Sequence, residues 1–418
     1  MWFRRDLRLK DNRALYEACK ASKSVLPIFI FDPNILDKLK DKSDARVSFI
    51  HQTLKELEVI ECHYGSPEEV FEKLFKKYDI EAIYNNKDYE PYALTRDKKI
   101  EKIAHKNKAY FYQFKDHCIF ENLEVAKDDG KPYTVYTPYK NKWLKTLKKE
   151  HYKAFPSEKN LDALKKPSQK IPSLKSMGFS ESDIPIPSQT VKKNILSSYD
   201  KNRDIPSLDA TSKLGVHLRF GTVSPRKCVE IGLKLNAVWL SEIIWRDFFI
   251  QIMANFPHVP KGAFKPQYDD IEWRNNKKEF KAWCEGQTGY PIVDAGMREL
   301  NATGHMHNRV RMITASFLIK DLLIDWRWGE AYFAEKLLDF DLASNNGNWQ
   351  WAAGSGCDAA PYFRIFNPTT QMKKFDPDMK YVSKWVPEWD TADYINPIVD
   401  HSMARDRTLA AYKKALGK

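Results

Sequence analysis

The chain has 418 residues, 43% of them hydrophobic and 30% charged, and carries a formal net charge of +12. That balance excludes wholesale disorder, and no apolar run approaches the ~20 residues needed to span a bilayer as a helix. At roughly 150 residues per domain, the length suggests two to three domains. The six cysteines (Cys19, Cys62, Cys118, Cys228, Cys284, Cys357) are scattered with no CxxC pair, a pattern of reduced thiols rather than of a disulfide framework or a zinc site. MWFRRDLRLKDNRAL has charges but no apolar stretch, so nothing there reads as a signal peptide and a cytoplasmic location is expected. The basic surplus can supply the sequence-independent part of nucleic-acid binding. Lysine in helical runs such as LFKKYD and WLKTLKKEHYK also fits a plain solvated surface.

The first third alternates short apolar runs with amphipathic ones. SVLPIFIFD, EVIECHYG, EAIYNNKDY and AYFYQFKDHCIF read as strands, with SDARVSFIHQTLKEL, SPEEVFEKLFKKYD and YALTRDKKIEKIAHKNK as helices between them. The expectation is a parallel, Rossmann-like α/β domain over residues 1–120. Ser66 and Pro67 stand where an N-cap and first helical residue belong, with Glu68 and Glu69 in the first turn. No GxGxxG announces a dinucleotide site. Two irregularities stand out: WFRRD leaves little room for a first strand, and the helix ending near Leu57 runs into EVIECHYG without the usual loop of about 2 to 6 residues.

Residues 121–190 are rich in Lys, Pro and Ser, with KKPSQKIPSLKSMGFSESDIPIPSQ the least patterned part, and an interdomain linker is expected there. Over 191–418 the patterns turn helical. WLSEIIWRDFFIQIMANF, PIVDAGMRELNA, MHNRVRMITASFLIKDLLIDW and GEAYFAEKLLD carry apolar residues at i, i+3 and i+4, which predicts a larger all-α domain. Ten of the twelve tryptophans, from Trp239 onward, fall in this half.

Within MHNRVRMITASF, Asn308, Arg311 and Met312 are spaced to share one helix face, with Arg309 to the side. Such a polar, cationic and thioether face is not ordinary core, although a solvated basic edge remains open. His305 and His307 point in different directions on a helix and no carboxylate or thiol completes a set, so no metal is expected. Thr211, Ser212 and Gly215 form a hydroxyl-rich turn that can cradle phosphate or serve as a plain N-cap. Glu242 and Trp245 set a carboxylate beside an indole on one face. In DFDLASNNGNWQWAAGSGCDAAPYFRIFN, Asp339 and Asp341 can accept hydrogen bonds from a ligand, Asn345 can present its amide, and Trp349 and Trp351 can stack or relay electrons. That set suits a ring system with both donors and acceptors, as a flavin has. The alternative is capping and core filling.

These motifs together resemble the photolyase and cryptochrome family, and specifically class I cyclobutane pyrimidine dimer photolyases. The match runs through WFRRDLRLKDN, YTPYKNKW, SLDATSKLGVHLRFGTVSPR, SEIIWRDFF, WCEGQTGYPIVDAGMRELNATGHMHNRVRMITASFLIKDLLIDWRWGE, DLASNNGNWQWAAGSGCDAAPYFRIFNP and KKFDPDMKYVSKWVPE, nearly the whole chain. The resemblance implies noncovalent FAD, active when fully reduced, and UV-damaged DNA containing pyrimidine dimers as substrate, repaired by light-driven electron transfer to a flipped-out lesion. It implies that Tyr199, Thr211, Ser212, Lys213, Leu214 and Gly215 grip the FAD pyrophosphate, that Arg311, Asp339 and Asp341 contact the flavin or its ribose, and that Asn345 lies beside flavin N5. The lesion pocket would comprise Arg203, Glu242, Trp245, Asn308, Arg309, Met312, Trp351 and Arg364, with Glu242, Asn308, Met312 and Asn345 closest to the chemistry. A photoreduction chain would run from Trp349 through Trp326 to an exposed Trp273. A monomeric, cytoplasmic enzyme associated with the nucleoid through DNA is expected.

Two departures are expected to tune rather than abolish function: Gly215 where many relatives have Ser, and His305 where an aromatic is usual. The family's antenna chromophore, a folate or deazaflavin, sits against the N-terminal domain, and the shortness of that domain here counts against it. A cryptochrome-type blue-light photoreceptor would share fold and FAD without repair, often with a long C-terminal extension, whereas this chain ends about fifty residues after Asn367. A photolyase for (6-4) photoproducts would place a histidine pair in the lesion-facing helix, where Asn308 and Met312 stand.

Overall fold

A computed structural model describes residues 1–417 and resolves two compact units. The first comprises Met1–Ala126, Lys142–Thr190 and Lys213–Lys234. It contains five strands: β1 (Trp2–Phe3), β2 (Ile28–Phe31), β3 (Glu61–Tyr64), β4 (Ala82–Asn86) and β5 (Tyr110–Phe114). β1, β2 and β3 pair in that order and β4 pairs with β5, all parallel, with Ile28 opposite Glu61 and Ala82 opposite Tyr110. All four residues of β2 are buried, as expected of a strand covered on both faces. Trp2, Ile28, Ile30, Phe71, Leu74, Ile83 and Ile100 share one apolar cluster.

The predicted helices form at Ala45–Leu57, Pro67–Lys77 and Pro91–Lys106. Ser66 caps the second, its side chain accepting from the Glu69 amide, with Pro67 next and Glu68 and Glu69 in the first turn. A further helix, Arg13–Ala21, lies hidden in the charged opening; Asn12 caps it by accepting from Leu15 N at 3.2 Å. Both irregularities resolve locally. β1 is only two residues long, and the abrupt turn after Leu57 is made by Glu58 in the left-handed region at φ 54°, so that β3 starts only four positions after the helix ends.

The region expected to be a linker differs from that expectation. Residues 142–190 count with the first unit and Lys127–Asn141 with the second. The unpatterned stretch is held by long-range hydrogen bonds: Val25 N to Ala163 O and Lys165 N to Val25 O, both 2.8 Å, Ser168 N to Glu61 Oε2 at 2.6 Å, and His51 Nε2 to Pro172 O at 2.9 Å. Lys213–Lys234 counts with the first unit, and a buried charge network ties it there. Arg226 reaches Asp116 at 2.6 Å and Asp11 at 2.8 Å, and Arg8 reaches Asp116 at 2.5 Å. Burial pushes the Asp116 carboxyl up, but the two guanidiniums outweigh it and hold it at about 2. At Gly221, φ 69°, a Cβ would stand 2.1 Å from Arg5 O, so only glycine permits the backbones to meet.

The second unit, Lys127–Asn141, Val191–Ser212 and Leu235–Lys418, is helical. Helices at Ala237–Asn255, Pro291–Thr303, Asn308–Ser316, Trp326–Lys336 and Leu342–Ala353 build its core, with Val293, Leu300, Val310, Phe317, Leu318, Trp326, Phe333 and Trp349 in one apolar cluster. MHNRVRMITASFLIKDLLIDW is not one helix. It stops at Ser316 and widens into a π-helical turn, Phe317–Asp321, closed by Leu322 N to Phe317 O at 3.1 Å. Lys320 is buried in that turn and donates to Ala353 O and Tyr362 O at 3.1 and 3.2 Å. Among the described residues no helix is long and apolar enough to cross a membrane.

Candidate functional site

The segment DLASNNGNWQWAA is a helix, Leu342–Ala353, and Asp341 caps it: its Oδ1 accepts from Ser344 N at 3.1 Å. Asn345 and Trp349, four apart, share one face of it, while Trp351 lies off that face. Asn345 is buried and its Nδ2 donates to the carbonyl of Glu330 at 3.1 Å, which turns its Oδ1 the other way. Beside it, Asn346 Nδ2 donates to Glu330 Oε1 at 3.4 Å, and Gln350 Nε2 to Asn346 Oδ1 at 3.1 Å.

On the helix Asn308–Ser316, Arg311 grips Asp339 with both guanidinium nitrogens, at 3.1 and 2.9 Å, and its Nε donates to Met306 O at 2.7 Å. Burial raises the Asp339 carboxyl, but Arg311 more than compensates and the net shift is downward. Arg309, expected to lie to the side, reaches Met312 Sδ at 3.6 Å, stands over the Phe375 ring at 4.4 Å and pairs with Asp204 at 2.8 Å. Asn308 is exposed.

Glu242 and Trp245 both project from Ala237–Asn255 and are partly buried. Glu242 forms an ion pair with Arg203, which also stands over the Tyr199 ring at 5.3 Å. Burial pushes the Glu242 carboxyl up against the opposing pull of Arg203. Arg364 is exposed over Phe366 at 5.5 Å, with no carboxylate partner among the described residues. Ser212 Oγ accepts from Trp239 Nε1 at 3.3 Å. Of the residues of the expected phosphate turn, Tyr199, Thr211 and Ser212 count with the helical unit, and Lys213, Leu214 and Gly215 with the first.

Trp326 and Trp349 lie in the helical core at 1% and 2% exposure. Trp273, expected to be exposed, is only partly so; it packs against that core with its ring 6.1 Å from Tyr412.

Two features of this site escaped the reading of the sequence: Glu330 altogether, and the capping role of His307. Glu330 lies in GEAYFAEKLLD, a run noted only for its apolar spacing, yet burial pushes its carboxyl up to about 7, against the Asn346 bond and Arg327. His307 caps the helix through Nδ1, which accepts from Arg309 N at 3.2 Å, so its proton sits on Nε2, a buried donor without a partner among the described residues.

Glu330 predicts a pH dependence. Its folded value lies above the ordinary 4.5, so from about pH 4.5 to 7 the native state binds more protons than the unfolded chain, and stability falls as pH rises through that window. Glu330→Gln removes the charged form, and the parent should lose Tm relative to the variant between pH 5 and 8. Asp321, pushed up to about 6 by burial, contributes in both proteins, so the difference between the two curves is the readout. A constant difference assigns the slope elsewhere.

Two family models match the chain: DNA photolyase over residues 1–159 and the FAD binding domain of DNA photolyase over residues 239–393. The deoxyribodipyrimidine photo-lyases of Salmonella typhimurium and Escherichia coli are 38% and 37% identical to it, each alignment covering 99% of this chain and 98% of the relative. Among solved structures, a class III photolyase from Agrobacterium tumefaciens superimposes with a TM-score of 0.87 at 33% identity, over 100% of this chain and 97% of the other. An archaeal photolyase from Sulfolobus tokodaii, solved with two FAD molecules, does so at 0.82 and 34% identity, over 99% of each. A Synechocystis cryptochrome at 24% identity shares the fold. A small parallel α/β unit, a helical unit and the FAD-binding match define a flavin-dependent two-domain protein. The chain belongs to the DNA photolyase family.

Proposed function

We propose that this protein is a deoxyribodipyrimidine photo-lyase that binds FAD noncovalently and repairs cyclobutane pyrimidine dimers in DNA under light. The observation that carries the assignment is the full-length relationship to enzymes of that name, 38% identical over 99% of this chain. The residues of the helical unit suit FAD chemically. Asn345 turns an amide oxygen away from Glu330, Arg311 is locked by Asp339, and His307 Nε2 is a buried donor without an acceptor among the described residues. When bound and reduced, FAD supplies the light-driven electron that splits the dimer.

The protein's own groups then divide the work. Arg311, fixed by Asp339 and Met306 O, offers a rigid cation to the cofactor. Asn345 accepts a hydrogen bond at a position set by the Glu330 carbonyl. Glu242, its carboxyl raised by burial, donates to a dimer carbonyl when protonated, while Arg203 holds its side chain in place. Trp245 and Trp351 stack against the lesion and exclude water, with Asn308 and Met312 completing the pocket. The cost of extruding the lesion, roughly a few kcal/mol, is least for a damaged base. Trp349, Trp326 and Trp273 refill an oxidised cofactor from the surface. The enzyme acts as a monomer inside the cell, on nucleoid DNA.

Illuminating the reduced protein with dimer-containing DNA should restore base absorbance at a rate proportional to light dose; no recovery, with FAD bound and reduced, refutes the assignment. DNA binding should weaken with salt at a slope near −0.9 per phosphate contact on duplex DNA. Because Arg203 and Arg309 already hold carboxylates, Arg364→Ala should lower that slope by about 1, and Arg203→Ala should change it less. Equal effects would count Arg203 among the phosphate contacts.

A further inference from the structure

The motif YTPYKNKW lies partly in Lys127–Asn141, a strap that belongs to the helical unit although the chain on either side of it, Met1–Ala126 and Lys142–Thr190, does not. The strap is fastened along the helix Ala237–Asn255. Gln251 Nε2 donates to Tyr133 O at 2.8 Å, and the buried Tyr139 ring meets Phe248 at 5.3 Å. Between these points Tyr136 lies flat on Trp245, ring centroids 3.5 Å apart and planes within 5°.

A face-to-face sandwich is the arrangement aromatic pairs least prefer; offset or edge-on geometries win when the rings are free to choose. Tyr136 is not free. Its backbone N–H donates to Asp358 Oδ2 at 2.8 Å and its hydroxyl to Ser241 O at 2.9 Å, so the backbone at the root of the side chain and the hydroxyl at its tip are both held. The edge of Phe248 closes the pair, 5.8 Å from Tyr136 and 5.6 Å from Trp245, at 78° and 82°. Tyr136 itself is 8% exposed, whereas Trp245 remains partly open. A buried ring, anchored at both ends and pressed against an indole that stays accessible, fixes the plane of that indole before anything binds to it.

We infer that Tyr136 is a positioning residue for lesion recognition, a backing plate that holds Trp245 in its stacking orientation. The inference rests on the assignment of Trp245 to the lesion pocket. A loose Trp245 would have to give up its rotamer freedom when the dimer arrives; a pre-set one has already done so, and the preorganisation appears as affinity for the lesion and nowhere else. Asp358 and Ser241 act through Tyr136, as the anchors of the plate.

The test uses the FAD-loaded enzyme and a fluorescent oligonucleotide with or without one thymine dimer. Tyr136→Leu should weaken binding to the dimer by roughly three- to tenfold, leaving affinity for undamaged DNA, FAD content and photoreduction as in the parent. Tyr136→Phe keeps the ring and should recover most of the lost affinity. In the Trp245→Ala background, Tyr136→Leu should add almost nothing, since a residue that acts only through Trp245 has nothing left to position. Unchanged dimer affinity in Tyr136→Leu overturns the inference, as does a Phe variant as weak as the Leu variant, or additive losses in the double variant. If Tyr136→Leu does not fold, Asp358→Asn, which weakens one anchor and keeps the ring, should show a smaller loss confined to dimer DNA; an equal loss on undamaged DNA overturns it. Trp245→Ala read alone keeps the two ideas apart. If it leaves dimer binding intact, the lesion pocket is misassigned; if it weakens binding while Tyr136→Leu does not, only the backing plate falls.

Discussion

Trp326→Phe should all but abolish photoreduction of the oxidised protein by external thiol, while repair by chemically reduced enzyme stays close to the parent. Trp326 is 1% exposed and lies in the same apolar cluster as Trp349. Phenylalanine keeps an aromatic ring there, so the packing loss stays well below the roughly 3–5 kcal/mol of truncation to alanine. It is, however, much harder to oxidise than tryptophan. On the proposed relay, refilling the cofactor would need a hole to travel from Trp349 outward, whereas repair would need only an electron passing to the lesion and back. Flavin absorbance under blue light reads the first, and recovery of base absorbance after dithionite reduction reads the second. Equal loss of both would return Trp326 to a purely structural role.

Gly329→Ala should destabilise the helical unit by about 2 kcal/mol or more, the scale of overpacking a filled core. A Cβ at Gly329 would lie 2.1 Å from Trp349 Cη2 and 2.5 Å from Leu318 Cδ2. Both neighbours are buried, at 2% and 0% exposure, so neither can swing into solvent. Alanine's better helix propensity returns at most about 1 kcal/mol. The consequence reaches the site, because the next residue's carbonyl holds Asn345. A urea midpoint below that of the parent, together with faster FAD loss, is the expected outcome; a midpoint equal to or above it would mean that the Trp349 ring has room to shift.

What could be read from the residues alone follows the range of the forces involved. Ser66 and Pro67 announced their helix because a cap is a contact over three residues. The β2 run announced its strand because burial on both faces leaves an unbroken apolar word. The break after Ser316 could not be seen, since SFLIKDLLIDW keeps an apolar rhythm through a turn in which Lys320 is buried against carbonyls more than thirty positions away. Arg311 and Asp339 were each singled out from spacing and chemistry and given a cofactor role by resemblance, but their mutual grip, 28 residues apart, exists only in three dimensions. Glu330 was missed for the same reason: nothing local distinguishes it from any helix-surface glutamate, and its raised carboxyl comes from the walls around it. Tyr136 stood inside a quoted motif with no role attached, because its partner Trp245 lies on a helix that the chain reaches only much later.

That separation has a consequence for the order of synthesis. Tyr136 and its acceptor Ser241 are 105 residues apart, so on a ribosome adding about 5 to 20 residues per second the strap waits several seconds for the helix that will receive it. The first unit waits as well, because Asp11 and Asp116 meet Arg226 only when that late segment emerges. Nascent chains halted before Arg226 should therefore leave the first unit more open to protease than chains from which that segment has emerged, and the strap should gain protection only once Ala237–Asn255 is released.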